Sequence, residues 1–165
     1  HQGRAWEYEV EELGYKYCMN DIAAALGLVQ LEKLDRGNAL RRQLVRRYHQ
    51  AFADLEGIEP LALKDYGESA CYCMVVQLDQ RDALCDYLQE RDIQSAVHFY
   101  PNHLYPVYAP YRPARLPVTE AVWERILTLP LYPQMGEAAQ DRVIDCVRCF
   151  AEEQRVRVPQ LALGG

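Results

Sequence analysis

Apolar and polar positions alternate in several distinct rhythms along the chain. From Ile22 to Leu34 apolar side chains cover almost a full turn of a helix: Ile22, Leu26, Leu28, Val29, Leu31 and Leu34. Asn20 or Asp21 stands where an N-cap belongs. A helix apolar all round must be covered all round. Ala23, Ala24, Ala25 and Gly27 are small enough to let another backbone approach. In a chain this short, one face of the helix is expected to meet a second domain or a second subunit. "DRGNAL" (35–40) then predicts an interruption. Beyond it Leu40, Leu44, Tyr48, Phe52 and Leu55 recur every three or four residues, a single core stripe that predicts a second helix. Gly57 is suited to end it as the C′ glycine.

The rhythm changes after residue 57. "IEPLAL" predicts a short strand, "KDYGES" a polar turn, and "CYCMVVQL" (71–78) a strand rich in β-branched and apolar residues. Asp79 followed by Asp82 resembles a capping box for a helix to about Arg91, with Leu84 and Leu88 inward. "IQSAVHFY" (93–100) predicts the next strand, so that strand, helix and strand form a crossover unit. The segment from 101 to 117 carries five prolines and, with Tyr100, four tyrosines, which predicts an ordered loop too aromatic to be a linker. Val118 to Ile126 predicts a helix, "LTLPLYP" an extended piece, and Glu137 to Gln154 the last helix, with Val143, Val147 and Phe150 on one stripe. The tail 155–165 shows no packing pattern. The expected fold is α/β, in the α+β sense: two N-terminal helices, a small mixed sheet with helices on one face, and a closing helix.

Length and composition narrow the function classes. The 165 residues suit one domain able to bury a core. The 18 basic and 24 acidic residues give a net charge of −6, which argues against nucleic acid as the main partner. Arg41, Arg42, Arg46 and Arg47 cluster on a predicted helix and read as a solvated face. The longest apolar run, Ile22 to Val29, is far below the ~18 residues a membrane span needs. No signal peptide is recognisable in "HQGRAWEYEV", and the absence of an initiator methionine suggests a chain cut from something longer, or processed. The six cysteines do not form a framework: Cys71 and Cys73 alternate within a predicted strand, while Cys85, Cys146 and Cys149 lie on predicted helices. Zinc knuckles place their pairs in tight turns, so no metal site is expected and a reduced, cytoplasmic protein is.

Candidate chemistry is sparse. There is no glycine-rich nucleotide fingerprint, P-loop, G-x-S-x-G elbow or H-E-x-x-H. What remains is a set of polar groups beside apolar elements. His98 ends the strand "SAVHFYP" and His103 opens the aromatic loop, a pair able to contact an oxygen-rich ligand or simply to be hydrogen-bonded structurally. Lys16 and Cys18, in "GYKYCMND" (14–21), precede the apolar helix at a position where backbone N–H groups favour anions.

Three segments together resemble a known family. "ELGYKYCMNDIAAALGLVQLEKLD", "RDALCDYLQERDIQSAVHFYPNHLYPVY" and "ERILTLPLYPQM" are similar, in order and spacing, to the C-terminal region of the DegT/StrS group of PLP-dependent nucleotide-sugar aminotransferases. The resemblance covers roughly residues 3 to 150. It implies the small C-terminal domain of a fold-type-I PLP enzyme over 1–154, with 1–20 leading in from a large domain. It also implies a homodimer with active sites at the subunit interface, a nucleotide-sugar substrate, and an amino donor such as glutamate. In that family the Gly-Tyr segment reaches the phosphate of the neighbouring subunit's pyridoxal 5′-phosphate, which makes Lys16 and Cys18 cofactor contacts and Tyr15, His98 and His103 substrate contacts. Cys18 departs from the family's asparagine, and a thiol is the weaker donor. The chain's three lysines, Lys16, Lys33 and Lys64, lie outside the family's Ser-x-x-Lys stretch, so no catalytic residue is assigned in this chain and the 165 residues alone are expected not to transaminate. Two alternatives stay open: a non-catalytic dimerisation or regulatory module of the same fold, and a PLP- or PMP-dependent sugar dehydratase relative.

Overall fold

A computed structural model describes residues 12–65, 67–111 and 115–157. The expectations for "HQGRAWEYEV" and for most of the 155–165 tail fall outside these residues. The chain divides into two units, His1–Leu34 and Asp35–Gly165.

Helix α1 spans Asp21–Ala51 without a break. Asn20 is its cap: the side-chain oxygen accepts the Ala23 N–H at 2.8 Å and its carbonyl accepts the Ala24 N–H. The interruption expected at 35–40 does not occur, so one helix replaces two. A single glycine in a helix interior costs only about 1 kcal/mol. Asn38 does not cap a new start; its side chain accepts from Arg41 Nη1 within the same helix. The helix ends at Ala51 rather than near Gly57, which instead takes φ +79° in the following turn.

Three short strands follow: β1 (Glu59–Pro60), β2 (Met74–Gln77) and β3 (Ile126–Leu129). They form a sheet in the order β1-β2-β3, antiparallel throughout, not mixed. Met74 pairs with Leu129 and Val76 with Leu127, and these four side chains are buried. The alternate positions Val75, Gln77, Ile126 and Thr128 are only half-buried, as a period of two requires when one face is packed. Cys71 and Cys73 lie just before β2 rather than inside it. The strand expected over 93–100 shrinks to one antiparallel bridge between Ala96 and Thr128, so the crossover unit keeps its helix but not its second strand.

Helix α2 (Arg81–Gln89) starts from Gln80 with no side-chain cap, so the expected Asp79 capping box is absent. Asp79 pairs with Arg125 at 2.8 Å and Asp82 with Arg81 instead. Helix α3 spans Pro117–Arg125 and α4 Glu137–Arg157. The core gathers Val45 and Tyr48 of α1, Phe52 in the turn just past it, Leu84 and Leu88 of α2, Val143, Val147 and Phe150 of α4, and the inward sheet positions.

Polar ties fix the C-terminal half of α1 against α4. Gln140, fully buried, donates from Nε2 to the Leu44 carbonyl at 2.8 Å and accepts from Arg47 Nη1 at 3.2 Å. Arg47 also pairs with Asp141, and Arg42 with Glu68 at 3.1 Å. The arginine cluster is therefore not simply a solvated face: two of its four members bind other elements. The Tyr48 hydroxyl donates to the Pro130 carbonyl at 3.0 Å, and burial raises its pKa.

Candidate functional site

The two units carry different parts of the candidate chemistry. In the first, Tyr15, Lys16 and Cys18 lie in an exposed non-helical segment that runs into Asn20. The rings of Tyr15 and Tyr17 stand 5.8 Å apart. The apolar positions of α1 that follow are bare among the described residues: Ile22 is 76 % exposed, Leu26 63 % and Leu31 66 %.

A phosphate can be tested against this donor set. Lys16 offers an ammonium group and Tyr15 and Tyr17 offer phenols, all accessible. These groups fit a phosphate. The helix end itself fits less well, because Asn20 already occupies the Ala23 N–H and the Asp21 carboxylate sits in the first turn.

The second unit holds the two histidines, and it treats them differently. His103 is buried, in a one-turn 3-10 helix (Asn102–Leu104). Its Nε2 lies 3.0 Å from Glu120 Oε1. The same carboxylate oxygen accepts the Leu116 N–H at 3.1 Å. The His103 bond first, and then that N–H, hold the Glu120 carboxyl below the usual carboxylate range. Glu120 was not legible as a partner in the sequence; its place in the first turn of α3 was the available signal.

His98 is exposed, two residues beyond the Ala96 bridge. Its Nδ1 lies 3.0 Å from Thr128 Oγ1. His98 and Thr128 both line an open cleft of about 240 Å³ with Arg41, Tyr72 and Tyr132. Both also line a larger one, about 660 Å³, with Gln89, Asp92, Gln94 and Ser95. The smaller cleft combines a guanidinium with phenols, and the larger offers amides and hydroxyls. Cys73 also lines the smaller cleft, where burial pushes its thiol pKa up and away from thiolate chemistry. Sequence reasoning missed Thr128, although a threonine in the outward register of "ILTL" is the signal that could have found it.

The loop after His98 is ordered by contacts to α3. Tyr100 packs edge-on against Trp123 at 5.1 Å and against Tyr105 at 4.9 Å. Arg81 lies 5.7 Å from the Trp123 ring and donates to the Trp123 and Ile126 carbonyls, which lack helical partners at the end of α3. Aromatic packing on one side and the His103–Glu120 pair on the other thus hold the loop. Its outer side exposes Val107, Tyr108 and Tyr111. Among the described residues no helix is long and apolar enough to cross a membrane.

Over most of its length the chain is similar to known proteins. The spore coat polysaccharide biosynthesis protein SpsC of Bacillus subtilis is 37% identical over 154 residues, covering 87% of this chain and 40% of its own length. The crystal structure of the aminotransferase TlmJ from Streptoalloteichus hindustanus superposes with a TM-score of 0.83 at 30% identity, covering 91% of this chain and 41% of that one. Spr1654 from Streptococcus pneumoniae in its PLP-form gives a TM-score of 0.82 at 30% identity, covering 90% and 40%. The chain spans about 40% of the length of these relatives. The profile of the DegT/DnrJ/EryC1/StrS aminotransferase family matches residues 1–148, and the chain belongs to that family.

Proposed function

We propose that this chain works as the C-terminal part of a PLP-dependent aminotransferase that transfers an amino group to a keto-sugar on a nucleotide carrier. The observation that carries the reading is a juxtaposition. Accessible polar donors at Tyr15 and Lys16 run directly into a half-helix whose large apolar side chains none of the described residues covers. A solvated position for Ile22, Leu26 and Leu31 is costly, at roughly 25 cal/mol for each Å² of apolar surface. A second copy of the chain is the occupant that places those donors beside the neighbour's cofactor, so the working form is a homodimer. Family membership and the partial coverage of aminotransferase chains support the same reading.

The cofactor, when bound, supplies the electron sink through which the amino group passes from an amino acid such as glutamate to the sugar. The lysine that carries it lies in sequence outside this chain. This chain's own residues bind and orient. Lys16 neutralises phosphate charge, and Tyr15 beside it meets the substrate. Cys18 adds little, because a thiol donates weakly. His98, exposed between two clefts, meets the substrate's oxygens through Nε2. His103, tied to Glu120, holds the loop that borders them. The six cysteines are all unpaired, which suits a cytoplasmic setting.

Two measurements test the reading. The 165-residue chain, mixed with PLP and freed of excess, shows no Schiff-base absorbance; a stable borohydride-trapped adduct on Lys16, Lys33 or Lys64 overturns the assignment of the lysine elsewhere. Sedimentation equilibrium shows self-association that the double variant Leu26→Glu, Leu31→Glu abolishes. A wild-type chain that stays monomeric at tens of micromolar removes the shared-wall argument.

A further inference from the structure

We propose that Thr128 is a positioning residue for His98: its hydroxyl holds the imidazole at Nδ1 and leaves Nε2 to meet the substrate. The inference rests on the reading of His98 as a substrate contact and extends it to a residue that acts through the imidazole.

The backbone explains why the pair forms. Ala96 and Thr128 exchange both bridge hydrogen bonds, Thr128 N–H to Ala96 O at 2.7 Å and Ala96 N–H to Thr128 O at 3.1 Å. Leu127 and Leu129 point into the core, so Thr128 points out. Val97 packs against the core, so Ala96 and His98 share the outward side. His98 is thus the diagonal cross-strand neighbour of Thr128, a separation that an imidazole spans. The observed 3.0 Å contact is the outcome.

The chemistry of a hydroxyl suits this task better than a carboxylate would. A threonine hydroxyl donates and accepts. It donates to Nδ1 of the neutral ring, which puts the ring proton on Nε2, facing outward as a donor for a carbonyl or phosphate oxygen. It accepts from Nδ1–H when the ring is cationic. The ring is therefore held in place in either protonation state, and the hydroxyl brings no fixed charge to the cleft. His103 shows the contrast: there a carboxylate binds the ring nitrogen, and the imidazole is buried as a tie between loop and helix.

The test uses Thr128→Val, which keeps shape and β-branching, and Thr128→Ser, which keeps the hydroxyl. In the 15N-labelled chain, Thr128→Val is expected to move the His98 Nδ1 resonance to its non-hydrogen-bonded position and to remove ring contacts to the side chain at position 128; Thr128→Ser leaves both in place. In the complete aminotransferase, Thr128→Val raises KM for the nucleotide keto-sugar about tenfold, the upper range for one neutral hydrogen bond, with kcat changed much less. Thr128→Ser restores KM. An Nδ1 resonance unchanged in Thr128→Val overturns the inference, as does an unchanged KM in Thr128→Val when His98→Ala raises it. If His98→Ala itself leaves KM unchanged while the resonance moves, the substrate role of His98 falls and the hydroxyl's hold on the ring stands.

Discussion

The two halves of α1 obey the same helical geometry and meet opposite fates. The C-terminal half places Val45 and Tyr48 in the core, and Phe52, in the turn just past the helix, joins them, each at most 2 % exposed. Residues 22 to 34 carry more apolar side chains per turn and leave nearly all of them in solvent among the described residues. The C-terminal half has a periodic stripe and partners ready for it: Gln140 bonds the Leu44 carbonyl, Tyr48 bonds the Pro130 carbonyl, and Arg148 donates to the Ala51 carbonyl. The N-terminal half has no stripe, only apolar side chains on every face. Hydrophobicity alone does not say what a segment is packed against. A one-sided stripe points to a core within the same unit, whereas an all-round pattern beside charged and phenolic donors suits a wall shared with another molecule.

Substitutions can break this contrast, beginning with the largest expected effect. Phe52→Ala should destabilise the chain by about 3–5 kcal/mol, read from urea unfolding, because it leaves a cavity in a packed core. A cost under about 1 kcal/mol would mean that the C-terminal half is not held as described. Gly37→Ala should stabilise by up to about 1 kcal/mol, since alanine is the better helix former and its Cβ meets Arg41 Nη1 at 3.5 Å and Pro133 Cγ at 3.7 Å, ordinary contacts. Destabilisation there would restore the break expected at 35–40.

A smaller effect is expected from acid. Arg148 binds both carboxylate oxygens of Asp54, at 2.7 and 2.8 Å, and that hydrogen bonding lowers the Asp54 pKa from 3.8 to about 2. Asp54 is lowered in the folded state, so its contribution is present above pH 3.8 and is lost as pH falls from there through about 2. Asp54→Asn should flatten the loss of stability across that window, measured by denaturant midpoints at several pH values. Equal slopes in both proteins would show that the pair does not couple to folding. Smallest of all, Leu26→Ala should change the stability of the isolated chain by under about 0.5 kcal/mol, as at other exposed positions. Its effect is expected in the dimerisation constant instead, and a loss of several kcal/mol in unfolding would place Leu26 in a core of its own chain.

The histidines repeat the lesson at smaller scale. In the sequence His98 and His103 look alike, five residues apart beside an aromatic loop. Their partners separate them: Glu120 arrives from α3, 17 residues on, and Thr128 from β3, 30 residues on. No local pattern announces which of two nearby imidazoles will find a carboxylate. The same limit explains the misplaced boundaries. Asp35, Gly37 and Asn38 are ordinary break signals, yet the helix continues through them to reach a core that packs its next two turns. Asp79 has capping chemistry, yet Arg125 takes its carboxylate.

Periodicity and residue chemistry by themselves determined the helical segments, the inward stripe from Leu44 to Phe52, the strands at 59 and 74, an extended piece after residue 126, and the family resemblance, because these rest on interactions within a few residues. Tertiary structure alone decided that α1 runs unbroken, that the 93–100 segment contributes one bridge, and that His98 is held by a hydroxyl while His103 is held by a carboxylate. Those outcomes depend on groups far apart in the chain competing for the same side chain, and only the folded arrangement settles which of them arrives.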